Sequence, residues 1–259
     1  MPDDVPLLEV KGLAKRFGGV RAVNDVSFRV AAGEIMGLIG PNGAGKTTTF
    51  NLVSGRYVPS AGEVRLDGRR IDGMRPDRVA GLGVARTFQG TRIFPRLTVA
   101  ENLRTALLAA EEVGFWADWL GLSSARAVEA AAARRTAELL DFVGIAEHAE
   151  TASGSLPYAH QSRLGIALAL ALRPRLLLLD EPFAGMNPRE TMEAAAMVQR
   201  IRETGVTVLL VEHDMAAVMG VCDRIVVLDH GEKIAEGTPG EIRADRRVIE
   251  AYLGTEEDA

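Results

Sequence analysis

Gly40, Pro41, Asn42, Gly43, Ala44, Gly45, Lys46, Thr47 and Thr48 form one unbroken stretch that fits G-x-x-x-x-G-K-[ST]. That spacing suits the capture of phosphate. Gly40, Gly43 and Gly45 let the backbone curl so that successive N–H groups point inward. A helix starting at the same point adds the positive end of its dipole. Lys46 supplies a full charge for the β- and γ-phosphates, and the Thr47 hydroxyl can ligate Mg²⁺. The apolar run from Glu34 to Ile39 predicts a buried strand before the loop, and Thr47–Ser54 predicts a helix after it. A Gly-rich turn that binds nothing is the competing reading, and the strand and helix on its two sides weigh against it.

Other residues can do chemistry beside that loop. Asp180 and Glu181 follow four leucines, Leu176 to Leu179, that predict a buried strand. Successive strand side chains face opposite ways, so one carboxylate can hold Mg²⁺ while the other faces an attacking water. A solvated acidic turn is the alternative. Val206–Val211 predicts another buried strand, and His213 follows it. Parallel sheets bind ligands at the carboxyl ends of their strands, which puts His213, Asp180 and the loop on one edge. Gln89 leaves a strand predicted over Val84–Phe88 and can reach a phosphate or a Mg²⁺-bound water; it can equally satisfy loop backbone. Phe17, beside Gly18 and Gly19, can lie flat against a base or pack in a core; the sequence leaves both open. His148, His160 and His230 have no metal-ligand spacing.

The elements that must position these residues follow from local patterns. Leu7–Leu13 and Asp25–Val30 alternate apolar and polar residues and predict antiparallel strands with one wet face. Gly62–Leu66 predicts a strand entering a turn at Asp67-Gly68, and Pro76–Leu82 a short helix. Thr98 and Glu101 make a capping box for a helix over Val99–Ala110. Ala125–Phe142 predicts a long helix ended by Gly144, and Gln161–Leu172 an apolar helix. Between residues 98 and about 172 no strand is predicted, so a helical lobe interrupts an α/β core. Trp116 and Trp119 fall inside that lobe; they either pin it to neighbouring helices or offer a docking surface. Pro188–Glu203 predicts a helix, Arg224–Leu228 and Lys233–Glu236 a hairpin, and Thr238 with Glu241 a second capping box. The acidic tail after Gly254 is expected to be mobile.

Composition bounds the partners. The 259 residues are 47% hydrophobic, enough to bury a full core, and the net charge is −5. An acidic balance argues against nucleic acid, which favours a basic surface. A single cysteine, Cys222, excludes an intrachain disulfide. The acidic start, Met1 to Asp4, with no apolar run after it, predicts no signal peptide. The longest apolar run, Leu164–Leu172, is well short of the ~20 residues a membrane span needs. A soluble protein is expected, with any membrane association made through a partner.

The order of the motifs is more specific than any one of them. Phe17, the Gly40–Thr48 loop, Gln89, Leu156–His160, Asp180-Glu181 and His213 together resemble the ATP-binding subunit of an ABC transporter, over nearly the whole chain. More narrowly, Ala22–Phe28, Ala85–Gln89, Phe183–Glu190, Val211–Met215 and Val248–Leu253 resemble the ATPase of branched-chain amino acid importers. The resemblance implies an ABC ATPase architecture: a P-loop core with a mostly parallel sheet, an antiparallel β-subdomain and an inserted helical lobe. Residues 1–254 would form one such domain, with the core in 1–97 and 173–254, the lobe in about 98–172, and an acidic tail at 255–259. It implies ATP and Mg²⁺ as ligands. Phe17 would stack on adenine with Val23 nearby, and the loop with Lys46 would hold the phosphates. Thr47, Gln89 and Asp180 would arrange Mg²⁺ and water, Glu181 would act as general base, and His213 would sense the γ-phosphate. It also implies two ATPase subunits closing head to tail, as a homo- or heterodimer, on membrane permease subunits at the cytoplasmic face. The permeases would dock in a groove near Gln89 and the lobe, with a periplasmic or extracellular binding protein engaged indirectly. Urea, short amides or lipopolysaccharide are alternative cargoes, and a non-transport ABC ATPase or a small-molecule kinase are other classes.

The chain departs from the family's Leu-Ser-Gly-Gly-Gln signature, which would reach ATP across the dimer. Leu156, Pro157, Tyr158, Ala159 and His160 stand in its place, and Gly165 and Leu168 replace a usual Glu and Arg in the helix that follows. The serine hydroxyl is absent, and Pro157 lacks even an N–H. The expectation is that the Ala159 methyl holds the backbone off the phosphate and slows that composite site.

Overall fold

A computed structural model describes residues 5–87, 93–110 and 123–253. The chain divides into two compact units, residues 1–86 with 175–259, and residues 87–174.

The first unit holds two sheets. Strands β1 (Leu8–Phe17), β2 (Val20–Val30), β4 (Ala61–Leu66) and β5 (Arg69–Arg70) form an antiparallel sheet in the order β2-β1-β4-β5. The first two run further than the alternating pattern indicates, because pairing continues to Phe17 opposite Val20. The second sheet contains β3 (Ile35–Ile39), β6 (Val84–Arg86), β7 (Leu176–Asp180), β8 (Thr207–Val211), β9 (Arg224–Asp229) and β10 (Glu232–Gly237), in the order β10-β9-β3-β8-β7-β6. Its neighbours pair in parallel except β10, which folds back on β9. His230 and Gly231 both have positive φ at that hairpin, the geometry of a type I′ turn.

Every residue of β3, β7 and β8 is buried, as continuous apolar runs covered on both faces should be. Alternate residues Met36, Leu38, Leu176, Leu178, Leu209 and Val211 pack into one core with Leu8, Val10 and Leu13 of β1. Phe50, fully buried on helix α1 (Lys46–Val53), belongs to the same core. The register sets the functional edge. Leu38 and Asp180 both pair with Val211, so β3, β7 and β8 end side by side. Helix α2 (Pro76–Gly81) precedes β6, and helix α6 (Pro188–Glu203) starts in a capping box between Asn187 and Glu190. Three short helices, α7 (Met215–Val221), α8 (Pro239–Ala244) and α9 (Arg246–Leu253), complete the unit.

The second unit is helical, built on α3 (Val99–Ala110), α4 (Ser123–Phe142) and α5 (Tyr158–Ala171), with one isolated bridge between Thr98 and Ala152. The Thr98–Glu101 capping box forms, at 3.1 and 2.8 Å. Asn102, buried beside it, exchanges hydrogen bonds with the Phe94 backbone and donates to Thr98 O and Ser153 Oγ. Helix α5 starts at Tyr158, not at Gln161 as the sequence pattern indicates. Trp116, Trp119 and the acidic tail lie outside the described residues. Among the described residues no helix is long and apolar enough to cross a membrane.

Candidate functional site

The loop from Gly40 to Gly45 joins the end of β3 to the start of α1. Two of its glycines are fixed by close backbone approach. A Cβ on Gly40 would lie 2.0 Å from Leu228 O, and one on Gly45 2.4 Å from Ala22 O. Gly45 has φ 96° at the N-cap of α1, a conformation other residues adopt only under strain. The α1 N-terminus has no side-chain cap and no acidic residue in its first turn, so its backbone donors and dipole face the loop.

Lys46 is buried, and its ammonium donates to Gly40 O at 2.7 Å and Pro41 O at 2.9 Å. Burial pushes its pKa below the usual lysine range, and the negative charge of Glu181 opposes that shift. Asn42 and Gly43 at the loop tip are exposed, as is Thr47 in the first turn of α1. Thr48 is half-buried, while Thr49, fully buried, turns its hydroxyl back to Gly45 O at 3.0 Å. Thr47 is thus the exposed hydroxyl of the turn.

Asp180 and Glu181 are separated by a turn rather than by strand pleating. β7 ends at Asp180, which is buried, and Glu181 takes φ 50° while its N–H donates to Val211 O at 2.9 Å. A left-handed glutamate costs of the order of 1 kcal/mol, and such strain gathers at functional positions. Next to them, at the end of β8, Glu212 is fully buried and His213 is exposed. Glu212 accepts from Phe183 N at 2.7 Å and from His213 N at 3.1 Å. Burial nevertheless holds its pKa above the usual glutamate range.

Phe17 is not a core residue. It sits 43% exposed at the end of β1, edge-on to Tyr57 at 5.3 Å between centroids, with Lys15 Nζ 5.1 Å from its ring centre. Val23 is buried on β2 and would lie 3.5 Å from a Cβ on Gly45. The hairpin that carries Phe17 therefore continues the strand that touches the loop.

Two further residues, Arg86 in the Ala85–Gln89 stretch and Tyr252 in the Val248–Leu253 stretch, have no role assigned from the sequence. Arg86, the last residue of β6, donates to Asp180 Oδ2 at 2.7 Å, to Asn51 Oδ1 at 2.7 Å and to Ser54 Oγ at 3.1 Å. Tyr252 of α9 brings its hydroxyl to the backbone of Gly40, and burial raises its pKa to about 12.

Residues 23–184 match the family described as ABC transporter. The chain belongs to the ABC transporter family. A second match, to the family described as branched-chain amino acid ATP-binding cassette transporter, covers residues 232–258 of this ABC ATPase. The chain is 46% identical over 250 residues to the high-affinity branched-chain amino acid transport ATP-binding protein BraF of Pseudomonas aeruginosa, covering 96% of this chain and 98% of that one. It is 44% identical, at the same coverage, to the protein LivG of Escherichia coli, which bears the same description. Among solved structures, the ADP conformation of the ATP-binding cassette MJ1267 is similar with a TM-score of 0.83 and 27% identity, over 96% of this chain and 99% of that one.

The run Leu156–His160 lies in the helical unit. Leu156 is buried and its carbonyl accepts from Gln161 Nε2 at 2.9 Å. Pro157 is the N-cap of α5, and its carbonyl accepts from the His160 and Gln161 N–H groups. Tyr158 is exposed, and the His160 ring packs against His148 at 4.6 Å. Ala159 is buried in the first turn of α5. Gln89 lies outside the described residues. Lys46, Thr47, Asp180 and His213 come together through the loop, α1 and the adjacent ends of β7 and β8.

Proposed function

We propose that this ABC ATPase couples ATP binding and hydrolysis to uptake of branched-chain amino acids through membrane permease subunits. The observation that carries the cargo is the match of residues 232–258 to the branched-chain family, next to near full-length similarity to BraF and LivG. Residues 1–254 act as one ATPase domain and the acidic tail follows it.

The arrangement of the loop, α1 and the ends of β7 and β8 supports the following roles. The inward N–H groups of Gly40–Thr48 and the Lys46 ammonium bind the triphosphate, and Phe17 stacks on the adenine with Val23 supporting the hairpin. Thr47 and Asp180 present hard oxygen donors, which fit Mg²⁺; Gln89 is assigned to the same ion. Among the described residues no group of three His, Cys, Asp or Glu side chains is placed to hold a metal ion by itself, so phosphate oxygens and water would complete its shell. Bound there, Mg²⁺ neutralises charge on the phosphates. Glu181 takes a proton from the water as the water oxygen bonds to the γ-phosphorus. The bond from that phosphorus to the β–γ bridging oxygen breaks, and ADP leaves with the electron pair. His213 reaches the γ-phosphate from the end of β8.

Leu156–His160 serve the ATP of a second ATPase subunit, identical or not. Bound ATP favours the closed pair and hydrolysis reopens it, a population shift that moves permeases at the cytoplasmic face. The test is complementation of a strain lacking the corresponding ATPase, with its permeases retained and labelled leucine uptake measured. Restored uptake that is lost with Lys46→Ala supports the reading. Restored uptake of urea or an amide in a matched assay, with no leucine uptake, overturns the cargo.

A further inference from the structure

We propose that Arg86 is a positioning residue for the Mg²⁺ carboxylate, setting Asp180 relative to the helix that carries Lys46 and Thr47. The inference rests on the reading of Asp180 as a Mg²⁺ residue.

Arg86 ends β6, the edge strand of the six-stranded sheet, and pairs in parallel with Leu178 of β7. From there its guanidinium reaches forward to Asp180, two residues further along β7. The side chains of Arg86 and Asp180 are 8% and 2% exposed. One nitrogen, Nη2, donates to Asp180 Oδ2. The other, Nη1, donates to Asn51 Oδ1 and Ser54 Oγ, at the end of α1 and just beyond it. The guanidinium carbon lies 5.7 Å from the centre of the Phe50 ring, which belongs to the same helix.

One rigid fork thus ties the Asp180 carboxylate to α1. The first turn of α1 holds Thr47, the second protein donor assigned to the ion. The distance between the two donors is referenced to a single planar group. A buried ion pair is a poor source of net stability, so the gain is geometric. Lysine would keep the charge but lacks the planar fork that fixes both partners at set positions, because its donors radiate from one point at the end of a flexible stem. Groups that orient a metal ligand typically contribute about 10–100-fold to metal affinity.

The experiment is equilibrium binding of a fluorescent ATP analogue to the full chain, in EDTA and across a Mg²⁺ series. Mn²⁺ binding is read in parallel by electron paramagnetic resonance. Arg86→Lys is expected to raise the half-effective Mg²⁺ concentration about tenfold or more, with metal-free ATP affinity changed by less than about twofold. Asp180→Asn is expected to abolish most of the Mg²⁺ effect, and adding Arg86→Lys to it to change nothing further, because residues acting through one contact are not additive. An unaltered Mg²⁺ series in Arg86→Lys, or additive effects in the double variant, overturns the proposal. If Arg86→Lys does not fold, Ser54→Ala and Asn51→Ala remove the anchors on the helix side. A smaller shift in the same direction supports the proposal, and no shift overturns it. A Mg²⁺ series unchanged by Asp180→Asn removes the Asp180 assignment itself and the Arg86 role with it. An unaltered Mg²⁺ series in Arg86→Lys beside a normal Asp180→Asn effect removes only the Arg86 role.

Discussion

Lys46 and Glu181 meet across the carboxyl edge of the six-stranded sheet, close enough for the carboxylate to work against the loss of charge that burial imposes on the ammonium. One comes from the loop after β3 and the other from the turn after β7. Their meeting is set by strand order, since only β8 separates β3 from β7.

Lys46→Ala should weaken nucleotide binding without unfolding the chain. The ammonium's bonds to Gly40 O and Pro41 O are local. An ionised donor contributes about 1.5–3 kcal/mol to a hydrogen bond, so ATP affinity should fall by roughly tenfold to a hundredfold. Titration calorimetry checks this, and undiminished affinity would leave the ammonium without a role.

Glu181→Gln should keep ATP affinity and lose turnover. General base catalysis contributes about 10²–10⁴-fold. Sizing chromatography in Mg·ATP should then reveal a trapped pair of subunits. A monomer that turns over at the parental rate contradicts the assignment.

Phe17→Ala should weaken ATP binding by about 1–3 kcal/mol and leave the melting temperature nearly unchanged. The ring is 43% exposed, so little core is lost. Equal affinity for ATP in the two proteins would return Phe17 to a purely structural hairpin role with Tyr57.

Gly40→Ala and Gly43→Ala should differ. The new methyl at Gly40 meets Leu228 O at 2.0 Å, whereas at Gly43 nothing lies within 4 Å. Overpacking costs about 1–3 kcal/mol or more, and each kcal/mol moves the melting point of a chain this size by about 2–4 °C. Gly43→Ala keeps only the cost of its φ of 81°. Equal melting points for the two variants would contradict the loop geometry.

Glu212 should make stability fall with rising pH. Its pKa is raised by burial in the folded chain, so the folded state holds the proton to higher pH than the unfolded state does. Stability from this group is full below the unfolded glutamate pKa of about 4.3 and is lost as pH rises through the folded value. The melting temperature of the parent relative to Glu212→Gln should therefore decline from about pH 4 upward. A rising difference would reverse the sign and sink the assignment.

The residues legible in sequence were those whose chemistry is local. The loop announces itself by spacing, and the Thr98–Glu101 and Thr238–Glu241 boxes mark helix starts at the positions found. Asp180 stands out because four buried leucines precede it. Other features needed the tertiary structure. Arg86 stands in the sequence only within the Ala85–Gln89 stretch and with no role of its own, since its partner Asp180 is far along the chain and only the pairing of β6 with β7 joins them. Helix α5 was misplaced because Pro157 caps it without a side-chain hydrogen bond. Helix α7 is too short for a periodic pattern to show, and its Asp214 cap on Ala217 N appears only in the structure. Pleat alternation predicts opposite faces for Asp180 and Glu181, whereas the chain turns there, with Glu181 left-handed and its N–H on Val211 O of a neighbouring strand.

The most direct measurement is a structure of the Glu181→Gln variant with Mg·ATP. The γ-phosphate is expected within hydrogen-bonding distance of the Lys46 ammonium, roughly 3 Å, with a water between that phosphate and position 181. A triphosphate bound away from Gly40–Thr48, or position 181 turned from the γ-phosphate with no water between them, would contradict the account.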